Sequence, residues 1–316
     1  MSKTKLSVNL VILLSILTLG AVAAQAQATR TWVSGVGDDA NPCSRTAPCK
    51  TFAGAISKTA TNGEIDCLDP GGFGAVTITK AITIDGIGIT GGILSSLTNG
   101  VIVNAPLDAT VHLRNLSING AANGINGIRY LAGRHLILEN LTIQRVTTHL
   151  VDANLTNNGS LTMENVTGFN AGQSAVNTQT SLGAIFVVIN NCRFYNNANG
   201  VKADKNTKLT LRNTIISGNM SASSPSGNCV QIAPVGAGSV SALLENNSIS
   251  NCAEGVLVTT SGGSTVSVFI SNNLIYNNTA GVDIGAAVSV RSFLNNKMAG
   301  NTTDVAGTLG TSIGQQ

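Results

Sequence analysis

The stretches Val111-His-Leu-Arg-Asn-Leu-Ser-Ile118, Leu136-Ile-Leu-Glu-Asn-Leu-Thr-Ile143, Leu161-Thr-Met-Glu-Asn-Val-Thr-Gly168 and Val187-Val-Ile-Asn-Asn-Cys-Arg-Phe194 repeat one phrase, and that phrase decides the fold. It returns at Leu209 to Ile216, Ala242 to Ile249, Val268 to Ile275 and Arg291 to Met298. Its fifth position is always Asn: Asn115, Asn140, Asn165, Asn191, Asn213, Asn246, Asn272 and Asn295, spaced 22 to 33 residues apart. A period in that range marks a solenoid, in which each repeat is one coil that buries its apolar face only by stacking on the next.

Within the phrase, Val111 and Leu113, Leu136 and Leu138, and Leu161 and Met163 alternate with polar residues, the period-two pattern of a half-buried strand. The last copy puts Arg291 and Phe293 at the same two places. After the Asn, a second short strand directs Ile118, Ile143, Phe194, Ile216, Ile249, Ile275 and Met298 inward. A third carries Gly124-Ile125, Gly200-Val201, Gly255-Val256 and Gly281-Val282. Three short strands per repeat, each paired with its copy one coil away, predict an all-β fold: a single-stranded, right-handed parallel β-helix of about 9–10 coils, spaced about 4.8 Å apart. At that spacing the Asn residues are expected to stack into a buried ladder whose amides satisfy one another and the turn backbone.

Composition agrees. With 35 Gly, 35 Asn, 3% aromatic and 10% charged residues, the chain lacks the Leu, Glu and Lys excess of a helical bundle. At 43% hydrophobic it can still bury a large core.

The chain divides into four segments. Lys3 and Lys5, the apolar run Val11 to Leu19 and the small residues Ala24, Ala26 and Ala28 make residues 1–28 a secretory signal peptide. Residues 29–50 form an N-terminal extension, and 51–300 the β-helix. A helical cap is expected at 51–60, where Phe52, Ala55 and Ile56 share one face. Residues 301–316 lose the pattern and form a tail. No later segment is apolar enough to span a membrane. The mature charge is close to neutral, so no basic field recruits nucleic acid. The expected protein is secreted or periplasmic.

Thr51-Phe52, Ala55-Ile56, Gly63, Ile65, Pro70-Gly71, Val76-Thr-Ile78-Thr-Lys80 and Ile82-Thr-Ile84-Asp-Gly86 resemble the opening of right-handed parallel β-helix proteins, the pectate-lyase-like and carbohydrate-binding group. Val33 to Phe52 resembles the start of secreted bacterial members without an assigned activity. The resemblance spans roughly residues 50 to 300 and implies the fold, because β-helices host lyases, hydrolases, esterases, adhesins and plain binding modules. The paired Asp, Gly-His-Gly and Arg-x-Lys phrases of polygalacturonases are missing, as are the Gln-Asp-Thr phrase of pectin methylesterases and the Arg-x-Pro-x-x-Arg phrase of pectate lyases. The acids are scattered singly rather than clustered to hold calcium.

Stacking the coils on paper nominates surface residues. Glu139 and Glu164 fall on neighbouring coils, where like charges raise one carboxyl's pKa and the spacing suits a retaining glycosidase. With Arg145 and Arg193 they are the catalytic candidates. Set against them is a solvated ladder in which Arg114 answers Glu139 and Arg212 answers Glu245. Phe169 and Tyr195, also on neighbouring coils, are the ligand-binding candidates, a two-ring platform for sugar. His112, His135 and His149 occupy different register positions, so no metal site is expected from them, and no cofactor is implied. A polar loop, Gly218 to Asn228, leaves the rod.

Six cysteines in an exported chain permit disulfides. Cys43 and Cys49 bracket a short loop outside the coils and are expected to pair. Cys229 and Cys252 flank the same strand in successive coils and are expected to pair as well. Cys67 and Cys192 lie about five coils apart, beyond disulfide reach, and are expected to be buried thiols. The expected function is that of an exported, non-catalytic β-helix, surface-associated or polysaccharide-binding. The alternative is a polysaccharide lyase or glycoside hydrolase of unrecognised type.

Overall fold

A computed structural model describes residues 27–86, 88, 91–218 and 227–314. The expected signal peptide lies outside them except for Gln27 and Ala28, and most of the loop between Gly218 and Asn228 lies outside as well. The described chain winds into a right-handed parallel solenoid of about nine turns. Three parallel sheets run its length: sheet 1 with eleven strands, sheets 2 and 3 with ten each. One coil visits them in order, as Thr110–Arg114, Leu116–Gly124 and Ile128–Ala132 do before His135–Glu139 returns to sheet 1.

The register follows the sequence phrase. Leu136 pairs with Val111 on one side and Leu161 on the other, and Leu138 with Leu113 and Met163. All six are buried. Met298 is only partly buried, because it stands in the last coil with nothing stacked beyond it. In that coil Val268 pairs with Val290 and Ile270 with Ser292, so Val290 and Ser292 face inward, not Arg291 and Phe293. One extra residue separates this strand from Asn295, and Leu294 absorbs it at φ 62°.

The Asn ladder corrects the expectation of burial. Asn140, Asn165, Asn213, Asn246 and Asn272 are exposed, with φ between 52° and 55°. They recur because the turn needs the left-handed conformation, which Asn adopts more cheaply than other side-chain-bearing residues. Their amides still link along the rod, Asn165 Nδ2 donating to Asn140 Oδ1 at 2.7 Å and Asn246 Nδ2 to Asn213 Oδ1 at 2.7 Å. A buried ladder does exist one residue later, in the C-terminal coils. Asn273 Nδ2 donates to the Leu244 carbonyl at 2.8 Å and to Asn296 Oδ1 at 2.9 Å, while its Oδ1 accepts the Asn247 backbone N–H at 3.0 Å.

Both ends are closed. The helix α1, Phe52–Lys58, is shorter than the expected cap because Thr59 already begins a strand. Thr51 caps it by accepting the Gly54 N–H, and Phe52 packs against Phe73 with ring centroids 5.3 Å apart. The N-terminal extension joins the rod. Its first strand, β1 (Ala28–Val33), pairs in parallel with β2 (Thr59–Cys67) and becomes the edge of sheet 1. At the other end, Thr303–Ala306 completes the last coil against Ala280–Ile284. The N–H groups of Gly310 and Ile313 then donate to the Val290 and Ser292 carbonyls, covering the final strand of sheet 1.

Disulfides join Cys43 to Cys49 and Cys229 to Cys252, and Cys67 and Cys192 are buried free thiols. Burial pushes both thiols up to about 12. Neither is a thiolate at neutral pH. Among the described residues no helix is long and apolar enough to cross a membrane.

Candidate functional site

The outer face of sheet 3 and the turn leading into it enclose a groove of about 560 Å³. Alternation along the strand Val151–Leu155 buries Val151, Ala153 and Leu155 in the core, which leaves Asp152 and Asn154 on the groove side. The register then stacks Arg129, Asp152, Asn177, Lys202 and Gln231 at one position of five successive coils. His149, Gln173 and Asn199 line the groove from the turn. Six of the lining side chains are amides, so most of the surface both donates and accepts hydrogen bonds without net charge.

Asp152 and Asn177 form the groove floor. Both are more than nine-tenths buried, and Asn177 Nδ2 donates to Asp152 Oδ1 at 2.9 Å. His149 accepts the Ser174 backbone N–H at Nδ1, 3.2 Å away, so the neutral ring carries its proton on Nε2. Burial lowers the imidazole's pKa, opposed by the nearby Asp152 carboxylate and reinforced by Lys202. Lys202 Nζ lies 3.6 Å from Asp204. Asn154 also borders a second hollow of about 460 Å³ on the following turn.

Phe169 and Tyr195 meet on sheet 2, with ring centroids 5.1 Å apart and planes 4° from parallel. They stand just before the turn that carries Gln173 and Asn199 to the groove, and neither ring lines the groove itself. Gln144 and Ser217 flank the pair in the neighbouring coils. Tyr276 is separated from Tyr195 by Ser217 and Ser250.

Glu139 and Glu164 occupy paired positions at the end of sheet 1, as expected. Each has another partner, Glu139 with His112 Nε2 at 2.8 Å and Glu164 with Asn190 Nδ2 at 2.7 Å. Arg114 does not answer Glu139. It turns to Asp85 at 2.7 Å and Glu64 at 3.5 Å, where two acids already lie together. The pairing of Arg212 with Glu245 is present at 3.9 Å. Arg193 opens a sheet 2 strand, and Arg145 stands at the far end of another, two coils back. Among the described residues no ion pair joins either arginine to either glutamate. Arg145 holds φ 60° where neighbouring coils place Asn170 and Asn196 in the same conformation.

The groove was missed in the sequence because the repeated Gly-Val phrase of the third strand marks its core-facing side, while the outward positions and the turn that line the groove share no residue type. The signal available was the spacing of Asp152, Asn177 and Lys202, each 25 residues apart.

Fold and groove together define a parallel β-helix with a polar surface cleft, and its two disulfides accord with an extracytoplasmic location. Residues 85–312 match the family described as periplasmic copper-binding protein (NosD), and the chain belongs to that family. No curated protein matches the chain. Among solved structures it is similar to a pectate lyase, Pel9A, at 15% identity and TM-score 0.71, covering 90% of this chain and 78% of that one. A mannuronan C-5 epimerase module, AlgE6 of Azotobacter vinelandii, matches at 13% identity and TM-score 0.38, over 82% of this chain and 91% of that one. At these identities the likeness concerns the fold alone.

Proposed function

We propose that the protein is a periplasmic or secreted glycan-binding rod whose binding surface is the sheet 3 groove, extended by the stacked pair Phe169 and Tyr195 on sheet 2. The observation that carries this reading is the amide-lined, open cleft. A polyhydroxylated chain laid along the rod meets alternating donors and acceptors from successive coils, and the rings on sheet 2 add apolar contact. The two disulfides accord with an oxidising compartment.

Hydrolysis has little support, because two carboxylates are needed and Asp152 is the single acid among the described residues lining the groove. Copper fits the residues poorly as well. Copper sites draw on imidazole, thiolate and thioether groups. Here His112 Nε2 contacts Glu139, His135 Nε2 lies 2.9 Å from Thr162, His149 Nδ1 already accepts the Ser174 N–H and stands in no cluster of three potential ligands among the described residues, and both free thiols are buried and protonated. The one cluster of three potential ligands among the described residues is Glu64, Asp66 and Asp85, all oxygen donors already paired with arginine.

The test is a glycan array with the purified protein and the double variant Lys202→Ala/Gln231→Ala. The variant is expected to lose at least about tenfold in affinity for whichever glycan the wild type retains, with its melting temperature unchanged. Failure of the wild type to retain any glycan, or undiminished binding by the variant, would sink the reading. A parallel assay for reducing ends and unsaturated products separates binding from turnover.

A further inference from the structure

The first rungs of sheet 1 hold more charge than a buried edge normally tolerates. β2 brings Glu64 and Asp66, the strand Ile82–Asp85 brings Asp85, β1 brings Arg30 and the strand Thr110–Arg114 brings Arg114. One carboxylate oxygen of each acid lies within 4.8 Å of the other two. Arg30 hydrogen-bonds Asp66 and lies 3.3 Å from Glu64, while Arg114 lies 2.7 Å from Asp85 and 3.5 Å from Glu64. Asp85 also accepts the Asn115 amide at 2.7 Å. Asp69, in the loop after β2, is tied instead to Ser34 and to the Gly35 N–H.

Three carboxylates face two guanidinium groups, so the cluster carries one unmatched negative charge. The excess has an address. Asp66 is fully buried, and its Oδ1 has no hydrogen-bond partner among the described residues. A Glu64 carboxyl oxygen lies within 4.8 Å of one on Asp66. Two ionised carboxylates in that position repel in a low-dielectric setting, and a single proton between them turns repulsion into a hydrogen bond and balances the cluster.

We propose that Glu64 and Asp66 share one proton, and that this proton makes the fastening of β1 to the rod a pH-sensitive clasp. Arg30 is the mechanical link, since it reaches from β1 to both acids. A divalent cation fits less well, because it would leave the cluster with excess positive charge beside two arginines.

Burial is the chief cause raising the Asp66 carboxyl from 3.8 to about 6; the Arg30 hydrogen bond lowers it and Glu64 raises it again. A carboxyl whose folded pKa exceeds its unfolded one adds stability that is complete below about pH 4 and is lost as pH rises through about 6. The clasp is therefore tight in acid and loosens toward neutrality.

Trp32, the sole tryptophan, lies on β1 with the Arg30 guanidinium 5.6 Å from its ring, so its fluorescence reads the clasp directly. Titrating the full chain from about pH 4.5 to about pH 7.5, where ordinary carboxylates are already ionised over most of the range, should show a transition near pH 6 in the wild type. Asp66→Asn, which cannot release a proton, should abolish it, and wild-type melting temperature should fall relative to that variant as pH rises. Should Asp66→Asn not fold, Glu64→Gln must likewise remove the transition. A flat wild-type profile, or a transition that survives both substitutions, overturns the proposal. So does a shift of Trp32 fluorescence on adding millimolar calcium at about pH 7.5, which would assign the gap to a cation.

Discussion

Asn272 and Asn273 are neighbours in the chain, yet they recur from coil to coil for opposite reasons. Asn272 is exposed at φ 52° and answers a backbone need. Asn273 is 1% exposed and answers a hydrogen-bonding need, holding the Leu244 carbonyl and its two Asn neighbours away from water. The outer ladder runs through nearly every coil, because each turn needs a left-handed residue. The inner ladder is replaced by Leu116, Leu141, Val166, Cys192 and Thr214 in earlier coils, where an apolar residue or a hydroxyl fills the same place. A repeated residue therefore reports a shared constraint without saying which one.

Substitution separates the two. Asn273→Ala strips partners from several buried groups at once and is expected to cost about 3 kcal/mol, the sum of more than one unsatisfied polar group. Denaturant unfolding would show it as a lowered midpoint at unchanged slope. A cost below about 1 kcal/mol would erase the distinction between the ladders. In the outer row, Asn165→Ala is expected to cost about 1 kcal/mol through the left-handed backbone. Asn165→Gly should restore most of that loss, because Gly meets no Cβ penalty there. If Gly is as costly as Ala, the amide-to-amide bonds carry the ladder. The smallest effect is a gain. Arg145→Asn places the residue used at the same turn of later coils and should raise stability by about 0.5 kcal/mol, read as a small rise in melting temperature. No gain would mean that contacts of the Arg145 side chain already offset its backbone strain.

Much of the fold was legible in the sequence because stacking forces repetition. Leu136, Leu161 and Val187 occupy one place in successive coils, so the core prints itself into the chain at a fixed interval. The Cys229–Cys252 pair and the separation of Cys67 from Cys192 followed from the same register, whereas Cys43 and Cys49 were paired by their closeness along the chain. Burial of the ladder was misread because an Asn at every turn satisfies either a backbone or a hydrogen-bond requirement, and spacing cannot tell them apart. β1 was missed for a different reason: a single alternation, Thr31-Trp32-Val33, is too short to stand out before its partner β2 is known. The stacked pair Phe169 and Tyr195 emerged from register alone. The groove beside it did not, since its residues share only polarity, and concavity is a property of the backbone path rather than of any one coil.

The direction of the sheet hydrogen bonds sets how the molecule answers to force. They run along the rod, from each coil to the next, so a pull on the two ends loads them in series rather than together. Such a molecule yields one coil at a time. Each release frees about 25 residues, as between Leu136 and Leu161, or on the order of 85 Å of slack chain. A tether built this way lengthens in even steps under tension. The Cys229–Cys252 bridge closes one coil into a covalent loop, so the release of that coil would add almost no length.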